Sequence, residues 1–197
     1  MAGRPREFDV DKGLDIALDV FWRQGYEGTA LSDLTEAMGI NRPSLYAAYG
    51  NKESLFFRAI ERYFDGPAAH VKVAFAKPTA REVAECLLRG ASDTGTYGGE
   101  ALGCPMVHSA LVAGKHGEAV RAEMESRRRQ SQTALAARFE RAQAEGDLPA
   151  DLNADDLARH IWAVTFGISV SAVSGATREE LHRVVDLTLA QWPPRPS

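Results

Sequence analysis

Apolar residues recur with a spacing close to 3.6 residues along almost the whole chain, and this periodicity limits the possible folds more than any other feature. In the segment 9–24, Leu14, Leu18 and Phe21 fall on one helical face and Asp15 lies opposite. No segment alternates apolar and polar residues over the length that a half-buried strand needs. The sequence therefore predicts an all-α protein.

Glycines, prolines and capping residues divide the chain into separate helices. We expect the first helix to end at Gly25, Thr29 to cap the second and Asn41 to cap the third. Gly66-Pro67 either kinks the fourth helix or ends it, and the sequence leaves both possibilities open. Helices are predicted over about 9–24, 31–38 and 42–49, from Lys52 onward, and over 79–93, 105–113, 118–145, 154–174 and 177–192.

Charge alone argues weakly against DNA binding. The chain carries 23 lysines and arginines and 27 aspartates and glutamates, which gives a formal net charge of -4. Affinity for nucleic acids comes from cations that displace counterions from the phosphates. Net charge describes the whole surface, however, and a few well-placed cations can act within an acidic chain. The local placement of the cations therefore decides the question.

Cysteine content and hydropathy favour a cytoplasmic protein without a membrane partner. Cys86 and Cys104 are too few for a disulfide framework and do not form a C-x-x-C pair, which fits a reducing compartment. The longest apolar stretch, 161–173, is shorter than a bilayer span and is interrupted by polar residues. We therefore expect the protein in the cytoplasm.

Two short predicted helices, joined by the turn 39–41, have the arrangement of a helix-turn-helix, whose second helix lies in the major groove of DNA. Arg42 and Ser44 near its start can reach base edges or phosphates, and the Tyr46 hydroxyl can reach a phosphate. Leu45 is expected to face the core. Two surface helices with an ordinary turn would explain this segment, taken alone, equally well.

Further motifs flank this segment in a fixed order. They are GYEGT at 25–29, LTEAMGIN at 34–41, Leu45-Tyr46 with Tyr49, and NKESLF at 51–56. Together they resemble the TetR family of transcriptional regulators. The resemblance implies an N-terminal DNA-binding domain over 1–65, with its helix-turn-helix at about 29–50. It also implies a C-terminal helical bundle over 66–197 for dimerisation and effector sensing, in a protein that represses transcription from operator DNA.

The resemblance further implies DNA contacts from Thr29 and Lys52 and from the start of the recognition helix. Lys52 opens the fourth helix, where free backbone N–H groups and the positive end of the dipole favour a phosphate. The basic arm 3–6 could enter the minor groove or be a disordered tail. The predicted DNA contacts are Arg4, Arg6, Thr29, Asn41, Arg42, Pro43, Ser44, Tyr46, Tyr49, Asn51 and Lys52.

Neither catalysis nor a metal or other cofactor is expected. The five histidines form no H-E-x-x-H motif, and no G-x-S-x-G motif occurs. Cys104 and His108 are one helical turn apart, but the spacing supplies no further metal ligand. A helical protein-interaction module or a small enzyme that does not bind DNA are the alternatives to a regulator.

A candidate sensor lies around Cys104. Pro105 suits the first turn of a helix, so the thiol lies near a helix N-terminus, where the dipole and a protonated His108 would stabilise a thiolate. The effector is then a small molecule or an electrophile. The alternative is a cysteine that serves as a small core residue. The predicted effector or redox residues are Cys104, Met106, His108, Trp162 and Phe166, of which Met106, Trp162 and Phe166 also fit core positions.

Apolar stripes on the last two helices predict a homodimer. Two such helices from each subunit can form an intersubunit four-helix bundle. A two-fold symmetric protein requires a palindromic operator. The predicted interface residues are Leu157, Ile161, Val164, Ile168, Leu181, Val184, Val185, Leu189 and Trp192.

Overall fold

The computed structural model describes residues 8–97, 101–111 and 117–195, and within these ranges all regular structure is helical, without a strand. The predicted all-α class is therefore confirmed. Arg4 and Arg6 lie outside the described residues. The helices are α1 (Val10–Gly28), α2 (Leu31–Met38), α3 (Arg42–Tyr49), α4 (Lys52–Asp65), α5 (His70–Phe75), α6 (Ala80–Gly95), α7 (Pro105–Leu111), α8 (Glu118–Ala144), α9 (Ala154–Val173) and α10 (Arg178–Ala190).

The chain divides into two compact units, one that ends at Tyr63 and one that begins at Phe64. The sequence interpretation had placed the division at 65/66. Across the described ranges, no helix has the length and apolar character needed to cross a membrane.

The N-terminal unit is built around the apolar face of α1. The Asp9 carboxylate caps this helix by accepting hydrogen bonds from the backbone N–H groups of Asp11 and Lys12, both at 3.1 Å. Phe21 packs edge-on against Phe56, with the ring centroids 5.1 Å apart. The buried side chains of this unit include Leu14, Leu18, Phe21, Trp22, Leu34, Met38, Leu45, Tyr49, Leu55, Phe56, Ile60 and Tyr63.

The end of α1 differs from the prediction at two positions. Gly25 has φ 71° and ψ 169°, so the regular helix breaks there as expected, but a further turn continues to Gly28. Thr29 does not cap α2: its hydroxyl donates to the Gly25 carbonyl at 2.7 Å and closes the end of α1. At the start of α2, the Asp33 carboxylate accepts from the backbone N–H of Ala30 at 2.8 Å instead.

In the C-terminal unit, local capping sets several helix starts. The Thr79 hydroxyl accepts from the Glu82 N–H at 3.2 Å, while the Glu82 carboxylate accepts from the Thr79 N–H at 3.1 Å. Helix α4 ends at Asp65 and α5 begins at His70, so Gly66-Pro67 ends the helix rather than kinking it. The core of this unit includes Val83, Leu87, Leu88, Leu135, Phe139, Leu148, Ile161, Ile168, Leu181, Val185 and Leu189.

The predicted dimer stripe is wrong for its five buried members, because they belong to the core of the single subunit. Ile161, Ile168, Leu181, Val185 and Leu189 are buried there, and Leu157, Val164 and Trp192 are half-buried and pack against the same core. Val184 is 44% exposed. The sequence pattern identified the most apolar face of α9 and α10, and that face covers α6 and α8 of the same chain.

Candidate DNA-binding surface

The turn between α2 and α3 is fixed by backbone and capping hydrogen bonds. Gly39 adopts the left-handed conformation, with φ 66°, which glycine reaches without a steric penalty, and its N–H donates to the Glu36 carbonyl at 3.1 Å. The Asn41 side chain then caps α3 by accepting from the Ser44 N–H at 2.9 Å, as predicted. Leu34 and Leu45, one on each helix, are fully buried. The second helix of the pair therefore starts directly after the turn, in a fixed orientation.

One side of α3 faces solvent. Arg42 and Pro43 in its first turn are exposed, Ser44 is half-buried, and Tyr46 is 47% exposed. Pro43 needs no backbone donor at this position of the helix. Together with the exposed caps Asn41 and Asn51 and the half-buried Lys52 of α4, these residues form the candidate DNA-binding surface.

Two of the predicted DNA contacts are not on this surface. Thr29 is 1% exposed. Tyr49 is buried, and its hydroxyl donates to the Val10 carbonyl on α1 at 2.7 Å. Burial is the main cause that raises the pKa of Tyr49 above its usual value. Both side chains therefore hold the fold together; the motif alone does not separate such roles from DNA contact.

Arg58 supports the end of the recognition helix. The sequence interpretation did not identify this role of Arg58. Its guanidinium lies over the Tyr49 ring, 5.0 Å from the centroid, and donates to the Ala48 carbonyl at 3.1 Å. A cation at the C-terminal end of a helix also interacts favourably with the helix dipole. Arg58 thus ties α4 to the last turn of α3.

The start of α4 carries the cation of Lys52, whose ammonium is held in place by neighbouring residues. The Asn51 side chain accepts from the Ser54 N–H at 2.7 Å, which confirms the predicted cap. The Lys52 ammonium lies over the Tyr26 ring, 4.3 Å from its centroid. Burial lowers the pKa of Lys52 below its usual value, whereas Glu27 and Asp33 act in the opposite direction.

The cations of the N-terminal unit differ in whether they pair with carboxylates. Arg62 of α4 binds the Asp15 carboxylate with two hydrogen bonds, of 2.6 and 3.0 Å. By contrast, Arg42 and Lys52 have no carboxylate within 4.0 Å among the described residues. Their charges remain available to phosphates, although the chain as a whole is acidic.

The candidate sensor around Cys104 has a different cation from the one predicted. The backbone N–H of His108 donates to the Cys104 carbonyl at 3.1 Å, so the two residues do lie one turn apart. Burial lowers the pKa of His108, which favours the neutral ring, and its buried Nε2 has no hydrogen-bond partner within the described part of the chain. The burial of His108 therefore argues against the protonated ring that was predicted beside Cys104.

Arg128 of α8 is the cation that interacts with Cys104 at the start of α7. Its Nη1 donates to the carbonyl of the buried Met106 at 3.1 Å, and it interacts electrostatically with Cys104. The neighbouring Arg127 and Arg129 pair with glutamates of α8 instead. Three adjacent arginines point in different directions around a helix, so the sequence did not single out Arg128.

Trp162 and Phe166, the other predicted effector residues, lie on α9. Their rings stack with centroids 6.0 Å apart, and the Trp162 Nε1–H donates to the Ser131 carbonyl of α8 at 3.2 Å. Both side chains are half-buried. The predicted effector residues thus fall into two groups, one at the start of α7 and one on α9. No cluster of three or more metal-ligating side chains occurs in the ranges that the structure describes.

An all-helical chain with an exposed recognition helix behind a tight turn is a helix-turn-helix protein, and comparison with known proteins identifies its family. The model of the bacterial regulatory proteins, tetR family, matches residues 14–59, and that of the tetracyclin repressor-like C-terminal domain matches residues 84–187. This chain belongs to the TetR family of transcriptional regulators.

Several relatives match over nearly the whole chain. The HTH-type transcriptional repressor ComR of Escherichia coli (strain K12) is 33% identical over 193 residues, which cover 97% of this chain and 92% of ComR. The regulator YezE of Bacillus subtilis (strain 168) is 30% identical over 190 residues, 95% of this chain and 98% of YezE.

In one solved structure, a cysteine mutant of the TetR-family regulator CifR is bound to 26-bp operator DNA. The CifR chain is 42% identical to this chain and superimposes with a TM-score of 0.88, and the match covers 97% of this chain and 100% of the CifR chain. This chain is accordingly a DNA-binding transcriptional regulator and not an enzyme.

Proposed function

We propose that this chain represses transcription in the cytoplasm as a homodimer on a palindromic operator, and that a small-molecule or redox signal at its C-terminal unit releases it. The exposed face of α3, together with Arg42 and Lys52, which form no ion pair among the described residues, is the observation that carries the DNA-binding part. The repressor ComR and the operator complex of CifR support it.

The dimer interface lies on the outward face of α9 and α10. Val170 and Val173 on α9 and Val184 and Leu187 on α10 are large apolar side chains with exposures of 41% to 71%. One helix-turn-helix reads one half-site, so a second copy is the partner that a palindromic operator requires. Val184 belongs to the predicted stripe, and Val170, Val173 and Leu187 are added to it, whereas five other predicted residues are buried in the subunit's own core.

Substitution of the two cations separates phosphate contact from base contact. Lys52→Ala should weaken binding to every DNA sequence similarly and reduce the salt dependence by about one unit of slope per subunit. Arg42→Ala should in addition reduce base preference, by about 1–3 kcal/mol if the guanidinium contacts a guanine. Fluorescence anisotropy with duplexes of several sequences, at a series of salt concentrations, measures both effects.

Lys12→Ala is the matched control, because Lys12 is an exposed lysine of α1. It should leave affinity and salt slope near the wild-type values. A Lys52→Ala protein with an unchanged salt slope would show that Lys52 does not contact a phosphate.

The redox part of the proposal rests on Cys104 and Arg128. Arg128 interacts electrostatically with Cys104, and a cation near a thiol in general favours the thiolate, which is the nucleophilic form of cysteine. With hydrogen peroxide as oxidant, the thiolate sulfur attacks one oxygen, the O–O bond breaks, hydroxide leaves, and Cys104 becomes a sulfenic acid. The added polarity at the start of α7 would then shift the dimer toward a state that binds operator less tightly.

Peroxide should release wild-type protein from DNA and leave Cys104→Ser protein bound. Cys86→Ser is the matched control and should respond like the wild type, because burial raises the pKa of Cys86 and its thiol faces the His70 carbonyl. Gel shifts after peroxide treatment, with mass spectrometry of each cysteine, measure the response. Equal release of wild-type and Cys104→Ser protein would exclude Cys104 as the sensor.

A further inference from the structure

The Lys52 ammonium lies on an aromatic face rather than beside a carboxylate. Its distance of 4.3 Å from the Tyr26 centroid is well within the range of about 6 Å over which a cation is attracted to a ring. The pKa of Tyr26 is raised, chiefly by burial, so the phenol stays neutral at physiological pH. The ring therefore presents its electron-rich face to the cation.

The core of the N-terminal unit holds the Tyr26 ring in place. Tyr26 stacks on Phe21 with the centroids 6.3 Å apart and meets Phe56 at 5.1 Å with an interplanar angle of 60°. Phe21 and Phe56 are both fully buried. Gly25, with its positive φ, interrupts the regular helix of α1 immediately before Tyr26. The ring is thus a fixed support rather than a mobile surface group.

A support of this kind leaves the charge of the lysine intact. Glu27 and Asp33 act on Lys52 electrostatically, but in the described ranges neither forms an ion pair with it, and the Asp33 carboxylate is engaged by the Ala30 N–H. A carboxylate partner would have to be displaced before the ammonium could meet a phosphate. An aromatic face holds the ammonium on one side only and leaves its other N–H groups free to donate.

We propose that Tyr26 is a positioning residue for DNA binding, whose ring holds the Lys52 ammonium at the start of α4 ready to meet a phosphate. This inference rests on the proposed contact between Lys52 and DNA. Long side chains lose rotamer freedom when they are fixed at an interface. Because Lys52 is already ordered on the ring in the free protein, less of that freedom is lost when DNA binds.

A series of fluorinated phenylalanines at position 26 tests the proposal in the full-length chain. Fluorine withdraws electron density from the ring face and leaves its size nearly unchanged, so packing is preserved while cation binding weakens. Tyr26→Phe should bind a labelled duplex of mixed sequence like the wild type. Adding fluorines stepwise should weaken binding progressively, to a total of about two- to fivefold per subunit. Anisotropy titrations at fixed salt measure the trend.

The same series in a Lys52→Ala background separates positioning from packing. There the affinity should no longer depend on fluorination, because the cation that feels the ring is absent. A trend that persists in this background, or no trend with Lys52 present, would overturn the role of Tyr26. If Lys52→Ala alone had no effect on binding, the proposed phosphate contact itself would be wrong.

Discussion

Leu187→Glu is expected to convert the dimer into a monomer and to abolish tight operator binding. Leu187 is 71% exposed in the single subunit, beside Val184 on the outward face of α10. In a two-fold interface, the substitution would place two carboxylates in apolar surroundings. Loss of a central interface residue costs about 2–4 kcal/mol, which raises the dimer dissociation constant by roughly 30- to 1000-fold. Sedimentation velocity at micromolar protein concentration measures the change.

Val73→Glu is the matched control for this experiment. Val73 on α5 is likewise an exposed apolar side chain, at 52%, but it lies outside the proposed interface. This variant should remain dimeric. A wild-type chain that is monomeric, or a Leu187→Glu variant that stays dimeric, would show that the outward face of α9 and α10 is not the interface.

Phe139→Ala should be the most destabilising single substitution in the C-terminal unit. The ring is fully buried in the core and meets Trp192 edge-on, with the centroids 6.0 Å apart. Removal of a buried aromatic ring costs the burial of its apolar surface and leaves a cavity, about 3–5 kcal/mol in total. Urea unfolding followed by circular dichroism measures the free energy of unfolding.

Phe75→Ala serves as the comparison, because Phe75 is only half-buried at the edge of the same core. Its effect should be clearly smaller than that of Phe139→Ala. Equal effects of the two substitutions would mean that the burial of Phe139 in the structure is wrong.

Helix positions could be predicted from the sequence because their causes are local. The predicted segments 118–145 and 154–174 correspond to α8 (Glu118–Ala144) and α9 (Ala154–Val173). Asn41 and Asn51 cap the helices that they were expected to cap, because such hydrogen bonds reach only three residues along the chain.

The inward or outward direction of individual side chains could not be predicted, because it depends on tertiary contacts. Tyr49 is buried, and its hydroxyl donates to the carbonyl of Val10, which lies 39 residues away in the sequence. The dimer stripe was misassigned because α9 and α10 have apolar residues on two faces, and periodicity cannot show which face meets the same subunit. The contacts of Arg128 with Cys104 and of Tyr26 with Lys52 could not be predicted, because the residues of each pair are distant in sequence.

The sharpest test of the central claim is selection from a pool of random duplex DNA by the full-length wild-type chain, followed by measurement of how many chains bind each selected duplex. A homodimer that reads DNA through α3 should enrich an inverted repeat, bound by an even number of chains, and Arg42→Ala should alter the same positions in both half-sites. Enrichment of no sequence, or of an asymmetric sequence bound by a single chain, would contradict the account.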